Sequence, residues 1–243
     1  MRKKIILLTA VMVIAGLLLT LAWQYTMALP PRQIAKTYLR ALASGDVAGA
    51  KAVSTGRAAE AAGKLEGKNF TARVDEVSTS LQALGRGWAR VGATVELTLQ
   101  DGTADVGWYE LDVMKEAGGW KVVSFREGAP DLSGWSLVLG RDGHVEAAKE
   151  VFADYLEALA AGKWDEAVRY LAGPARKSQE ASRDILGKGE VISRIEGLQA
   201  GLTWARNKEM AVGFTYKADG RNISAVVLFY QTKDGWKIIE ILG

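Results

Sequence analysis

His144 is the only imidazole in the chain. A lone imidazole acts as a general base only where a neighbouring group orients it. His144 stands beside Asp142 and Gly143 in an aperiodic stretch, which reads as a linker residue or a helix-start contact. Glu110 and Asp112 are the next candidates, two carboxylates on one strand face about 7 Å apart, the residue types of acid–base work. They alternate with Tyr109 and Leu111, which is the pattern of a solvated outer face. Asp75 and Glu76 are adjacent and point to opposite faces of any extended segment. Gly85-Arg86-Gly87 and Gly187-Lys188-Gly189 lack the Gly or Ser/Thr that completes a phosphate-binding loop, and read as plain loops. There is no HExxH, Walker-type or dinucleotide fingerprint. With 0 Cys, the chain has no disulfide, thiolate metal site, cysteine nucleophile or lipoprotein attachment point. The expectation is therefore no catalytic residue, no metal and no cofactor. Asn69-Phe70-Thr71 and Asn222-Ile223-Ser224 match the glycosylation sequon, which matters only on a eukaryotic secretory route.

What remains is aromatic. Five rings are candidates for an interface or a pocket: Trp108, Trp120, Trp236, Tyr38 and Tyr155. Trp120 and Trp236 read as packing a sheet against helices, because aromatics dominate small cores. Trp108 falls on the Glu110/Asp112 side of its strand. An exposed aromatic there marks a contact surface.

These rings recur. Gly119-Trp120-Lys121-Val122-Val123 is echoed by Gly235-Trp236-Lys237-Ile238-Ile239, an offset of 116 residues. Tyr38-Leu39-Arg40-Ala41-Leu42-Ala43-Ser44-Gly45 is echoed by Tyr155-Leu156-Glu157-Ala158-Leu159-Ala160-Ala161-Gly162, an offset of 117. Distant landmarks at nearly one spacing mean an internal duplication. At 243 residues the chain has room for two small domains, each with a core. Hydrophobic residues at 49% and only 4 Pro make it globular.

Both units open helically and then switch to period two. Ile34, Tyr38, Ala41 and Leu42 form one helical stripe; Val151, Phe152, Tyr155, Leu156 and Leu159 form its counterpart. Asp46 is placed to cap a short second helix through Val53, and Trp164–Leu171 is its equivalent, closed by Gly173-Pro174. Val91, Ala93, Val95, Leu97 and Leu99 then alternate with Gly92, Thr94, Glu96, Thr98 and Gln100, a strand with one dry and one wet face. Asp101-Gly102, Gly118-Gly119, Asp219-Gly220 and Asp234-Gly235 are hairpin turns. An earlier strand is expected near Thr71–Val77 and near Ile192–Leu198. The result is an α+β layout with helices on one face of each antiparallel sheet. The expected divisions are 1–29 for the tip and anchor, 31–126 and 144–243 for two domains, and 127–143 for a linker onto which Trp135–Leu139 could dock.

Ile5 to Trp23 is an uncharged run of 19 residues, close to the roughly 20 that a helix needs to cross hydrocarbon. Trp23 and Tyr25 follow where rings favour the interface, and Pro30 and Pro31 are expected to stop the helix. The alternative is a cleaved signal peptide, for which Thr26-Met27-Ala28 offers a weak site. Lys+Arg number 31 and Asp+Glu 28. Removing Arg2, Lys3 and Lys4 leaves 28 basic residues against 28 acidic, so the body carries no basic field for nucleic acid. The basic tip favours a cytosolic N-terminus, with the remainder outside.

The order of elements, together with Tyr38–Ala50, Tyr155–Ala167, Gly119–Val123 and Gly235–Ile239, resembles the NTF2-like, cystatin-like superfamily. The resemblance implies helices packed into a cone of curved antiparallel sheet. Enzymes of that superfamily, such as ketosteroid isomerases and dehydratases, work inside the cone with Tyr, Asp or His. A membrane segment followed by such domains also resembles scaffold proteins of bacterial conjugation and type IV secretion, and exported proteins of Gram-positive bacteria. The expectation is a non-catalytic, single-pass, extracytoplasmic interaction or scaffold protein of the bacterial envelope, with envelope proteins or self-association as partners. The competing expectation is a binder of a small apolar ligand in the cone.

Overall fold

The computed structural model describes residues 2–67, 72–130, 142–186, 195–206 and 208–242. Two compact units divide the chain: residues 1–95 with 108–129, and residues 96–107 with 130–243. The chain forms two four-stranded antiparallel sheets, each with its strands in chain order, and residues 96–107 of the first sheet fall in the second unit.

The first unit begins with α1 (Arg2–Trp23), a π-turn (Gln24–Ala28) and α2 (Leu29–Ala43), which follow one another without a break. The expected stop at Pro30 and Pro31 does not occur. Both prolines sit in the first turn of α2, where a missing N–H is tolerated. Without those N–H groups the Thr26 and Met27 carbonyls lose their α-helical donors. The ladder widens to π geometry just there. The Thr26 hydroxyl donates to the Ala22 carbonyl at 2.7 Å.

From Pro31 onward α2 enters the core, burying Ala35, Tyr38, Leu39, Ala41 and Leu42 at helical spacing. Gly45, at φ 76°, lets the chain leave the helix. Asp46 then caps α3 (Val47–Ala52), its Oδ1 accepting from the Gly49 N–H at 2.8 Å. A third helix, α4 (Gly56–Gly63), follows, and the sequence reading had no place for it. The sheet comprises β1 (Ala72–Gly85), β2 (Trp88–Leu99), β3 (Ala104–Glu116) and β4 (Gly119–Glu127). Its helix-facing side packs Tyr38 edge-on against Phe125 at 5.9 Å, and Phe125 stacks on Tyr109 at 5.1 Å.

The second unit repeats this plan with α5 (Asp142–Ala160), α6 (Trp164–Ala167, then a 3-10 turn at Val168–Tyr170) and α7 (Gly173–Leu186). Its strands are β5 (Ile195–Arg206), β6 (Glu209–Ala218), β7 (Arg221–Thr232) and β8 (Gly235–Leu242). Gly173-Pro174, expected only to close an element, also opens α7. Met210, Val212 and Phe214 face the core as their alternation predicts. Asp219 and Gly220 both take positive φ, the backbone of a tight hairpin turn. Phe152 packs on Phe214 at 4.5 Å, and Phe214 on Phe229 at 6.1 Å. Burial of each such ring is worth roughly 1.5–3 kcal/mol.

Matching hydrogen bonds recur in the two units. Ser54 bridges Val122 in parallel, and Leu171 bridges Ile238 in the same way. The Thr55 N–H donates to the Val122 carbonyl at 2.9 Å, and the Ala172 N–H to the Ile238 carbonyl at 2.8 Å. The β3–β4 register slips between Asp112 and Val113, and the β7–β8 register slips between Leu228 and Phe229. The extra residues are Val123 and Ile239, again 116 apart, and a bulge at that place curves each sheet.

Two expectations about the strands change. The first strand of each sheet runs well beyond its expected end, to Gly85 and Arg206. Glu96, assigned to a wet face, is 8% exposed; it accepts from the Tyr230 hydroxyl at 2.8 Å and pairs with Lys208 at 2.5 Å within the second unit. Alternation identifies a face but not what covers it, and here the far end of β2 is covered on its polar side. Residues 71 and 192–194, the Asn69-Phe70-Thr71 sequon, Gly187-Lys188-Gly189 and Trp135–Leu139 lie outside the described residues.

Candidate functional site

Tyr38 and Tyr155 do the same structural job. Tyr38 is fully buried and donates its hydroxyl to the Ala58 carbonyl at 2.8 Å, tying α2 to α4. Tyr155 donates to Gln179 Oε1 at 2.8 Å, tying α5 to α7. Burial pushes the Tyr38 phenol up to about 12. Burial, reinforced by Tyr216, pushes the Tyr155 phenol up to about 12 as well. Both are neutral donors at any physiological pH.

Trp236 is buried and joins Tyr155 in the second core. His144 lies in the first turn of α5 and meets the Trp236 ring edge-on at 5.6 Å. Trp120 is half-buried at the start of β4. Trp108 departs from expectation: it is 5% exposed rather than open to solvent. Its strand face carries Ala104 and Val106, both buried, before Glu110 and Asp112. The wet character of the latter pair does not extend along the strand to Trp108.

Glu110 and Asp112 are held by arginines. Arg90 Nε donates to Asp112 Oδ1 at 2.9 Å and the Ser124 hydroxyl to Asp112 Oδ2 at 2.8 Å. Arg126 pairs with Glu110 through Nε at 2.8 Å and through Nη2. Burial pushes the Asp112 carboxyl up, but the bonds from Arg90 and Ser124 and the charges of Arg90 and Arg126 outweigh it, so the net shift is downward. A carboxylate held ionised in this way is an acceptor, not an acid. Among the described residues no group of three His, Asp or Glu side chains is placed to hold a metal ion.

The same face carries what the sequence reading missed. The Lys115 N–H donates to the Gly87 carbonyl at 2.8 Å, and in that register Trp88 stands opposite Met114. Trp88 is 42% exposed and Met114 48%. The Trp88 indole lies over Gly85 so closely that a Cβ there would come within 2.0 Å of Nε1. The edge of this apolar pair is charged, with Arg90 and Asp112 next along the strands. A tryptophan beside an arginine is a common composition of binding hot spots. The only sequence signal was a Trp directly after the Gly85-Arg86-Gly87 turn.

The second unit holds an open groove of about 1320 Å³ among α5, α6, the 3-10 turn and the β7–β8 turn. Trp164, Trp236, Arg169 and Lys237 are among its walls. One of its walls, Trp236, also belongs to the second core, and two of its lysines are engaged. Lys163 pairs with Glu166 at 3.1 Å, and Lys237 Nζ donates to the Arg169 carbonyl at 2.7 Å. Burial lowers the Lys237 ammonium pKa, with Arg176 adding to the effect and Asp234 opposing it.

No family model matches the sequence, and no curated protein matches it. Among solved structures, an NTF2-like protein involved in plasmid conjugation is 13% identical, with 87% of this chain and 92% of that chain covered and a TM-score of 0.32. A cystatin-like protein from Ruminococcus gnavus ATCC 29149 is 10% identical, with 83% and 71% covered and a TM-score of 0.16. At those scores the likeness assigns nothing to this chain.

Proposed function

We propose that this chain is a membrane-anchored, extracytoplasmic interaction module of the bacterial envelope, without catalysis. It is built from two NTF2-like domains over 31–126 and 144–243, joined through 127–143. The helix running from Met12 through Ala43 is long and apolar enough to cross a membrane, and none of its apolar window is buried against the rest of the chain. That exposure suits a lipid-facing anchor better than a core helix.

The observation that carries the reading is where the apolar side chains are placed. The interior of the second domain, where a cone ligand would sit, is occupied by Phe152, Phe214 and Phe229. Trp88 and Met114, by contrast, stand in solvent on the outer face of the first sheet. Aromatic rings that fill the interior of the second domain, with an apolar pair exposed on the first, favour protein contact over ligand capture. A photo-crosslinking side chain in place of Met114, followed by pull-down from a detergent extract, is expected to recover envelope proteins. A W88A/M114A double variant is expected to lose them. Recovery of the protein alone, as a monomer, counts against the proposal.

A further inference from the structure

We infer that the anchor and the first domain form one rigid body, which holds that domain at a fixed height against the lipid headgroup layer of the bilayer the anchor crosses. This rests on the anchor reading above and goes beyond it.

The first domain grips its helix almost at once. Pro31 and Ala35 are already buried, and Arg32 Nη2 donates to the Thr79 carbonyl of β1 at 2.6 Å. Trp23, the ring suited to the interface, is 53% exposed. Pro31 is eight steps along the helix from Trp23, about 12 Å at 1.5 Å per residue. A headgroup layer is itself about 5–8 Å thick on each side. The clearance left is roughly 5 Å, less than the Debye length of about 8 Å at physiological salt. No loop intervenes to let the domain swing away, because the π-turn keeps the helix continuous through Pro30 and Pro31. The ligand for the membrane-proximal end of this domain, around Arg32 and Gln33, is therefore the headgroup layer itself.

With 0 Cys in the sequence, single-cysteine labels report without background. Gln33→Cys and Ser44→Cys, both at exposed positions, place dyes near the start of α2 and at its C-cap. The full-length protein is reconstituted into phosphatidylcholine–phosphatidylglycerol vesicles carrying a headgroup acceptor. Energy transfer is then expected to set the two labels about 16 Å apart in height, eleven residues of helix, less a small reduction for tilt. Insertion of eight Gly/Ser residues after Ala28 is expected to abolish that difference while tryptophan emission stays the same. If the protein floats with the vesicles but the two heights coincide without the insertion, the rigid coupling is wrong and the anchor stands. If it does not float, the anchor reading and this inference fall together.

Discussion

Lys237 donates through Nζ to the carbonyl of Arg169 at 2.7 Å, and Lys121 makes the corresponding bond to the carbonyl of Ala52. The lysine of each Gly-Trp-Lys motif thus reaches back to close the end of the short second helix, where carbonyls lack partners. A hydrogen bond from a charged donor contributes about 1.5–3 kcal/mol, from which partial burial of the ammonium subtracts. K121M and K237M keep the apolar stem and lose the bond. Each is expected to lower stability by about 1 kcal/mol in chemical denaturation. The bonds lie in different units, so the double variant is expected to show the sum of the two effects. No change in either single variant would mean that water replaces the lysine.

The buried phenols predict an alkaline limit. The pKa of Tyr38 and that of Tyr155 rise from 10.0 to about 12 on folding. Between those values the unfolded chain loses protons that the folded chain keeps, so folding stability falls as pH rises. Their contribution is complete below pH 10 and is lost between pH 10 and about 12, by up to about 3 kcal/mol for each group. Melting temperature measured from pH 9 to 12 is expected to drop over that window, and Y38F and Y155F are each expected to flatten the drop. An unchanged slope in both variants would show that the phenols ionise freely in the folded state.

The repeat, the turns and the core faces were legible because each rests on a local pattern. Alternation in Met210–Phe214, capping by Asp46 and the Asp219-Gly220 turn all depend on neighbours in sequence. The failures share the opposite cause. Glu96 and Trp108 look wet by parity and are buried, and the cover of Glu96 comes from Lys208 and Tyr230, distant in sequence. Pro30 and Pro31 look like a stop, yet a π-turn absorbs them. The third helices were missed because α4 is short and its apolar side chains are alanines, while α7 is largely polar. Gly-Pro at the start of α7 and the Arg176–Glu180 pair one turn apart were the usable signals. The Leu81-Gln82-Ala83 and Leu198-Gln199-Ala200 segments, 117 residues apart in β1 and β5, would have fixed the first strands.

Trp88 and Trp236 should respond differently to truncation. Trp236 is 8% exposed inside a core, and Trp236→Ala is expected to cost about 3–5 kcal/mol. Trp88 is 42% exposed, and Trp88→Ala is expected to cost less than about 1 kcal/mol, in keeping with its surface position. G85A offers a second check: the added methyl meets the indole, so the ring is displaced and its emission shifts while the fold remains. A severe loss of stability in Trp88→Ala would make that residue structural and would remove it as a contact surface.

Phe214→Ala separates a filled interior from a ligand site. Phe214 is 1% exposed and packs on both Phe152 and Phe229. Removing its ring is expected to cost about 3–5 kcal/mol and to leave an apolar void, which stays dry and admits a benzene-sized molecule. The unaltered protein is expected to show no thermal shift with benzene or with larger apolar probes. F214A, or the milder F214L if the alanine variant does not fold, is expected to gain a shift that grows with benzene concentration. The opposite result, a shift in the unaltered protein that the substitution abolishes, would show that the second domain is built to hold an apolar ligand.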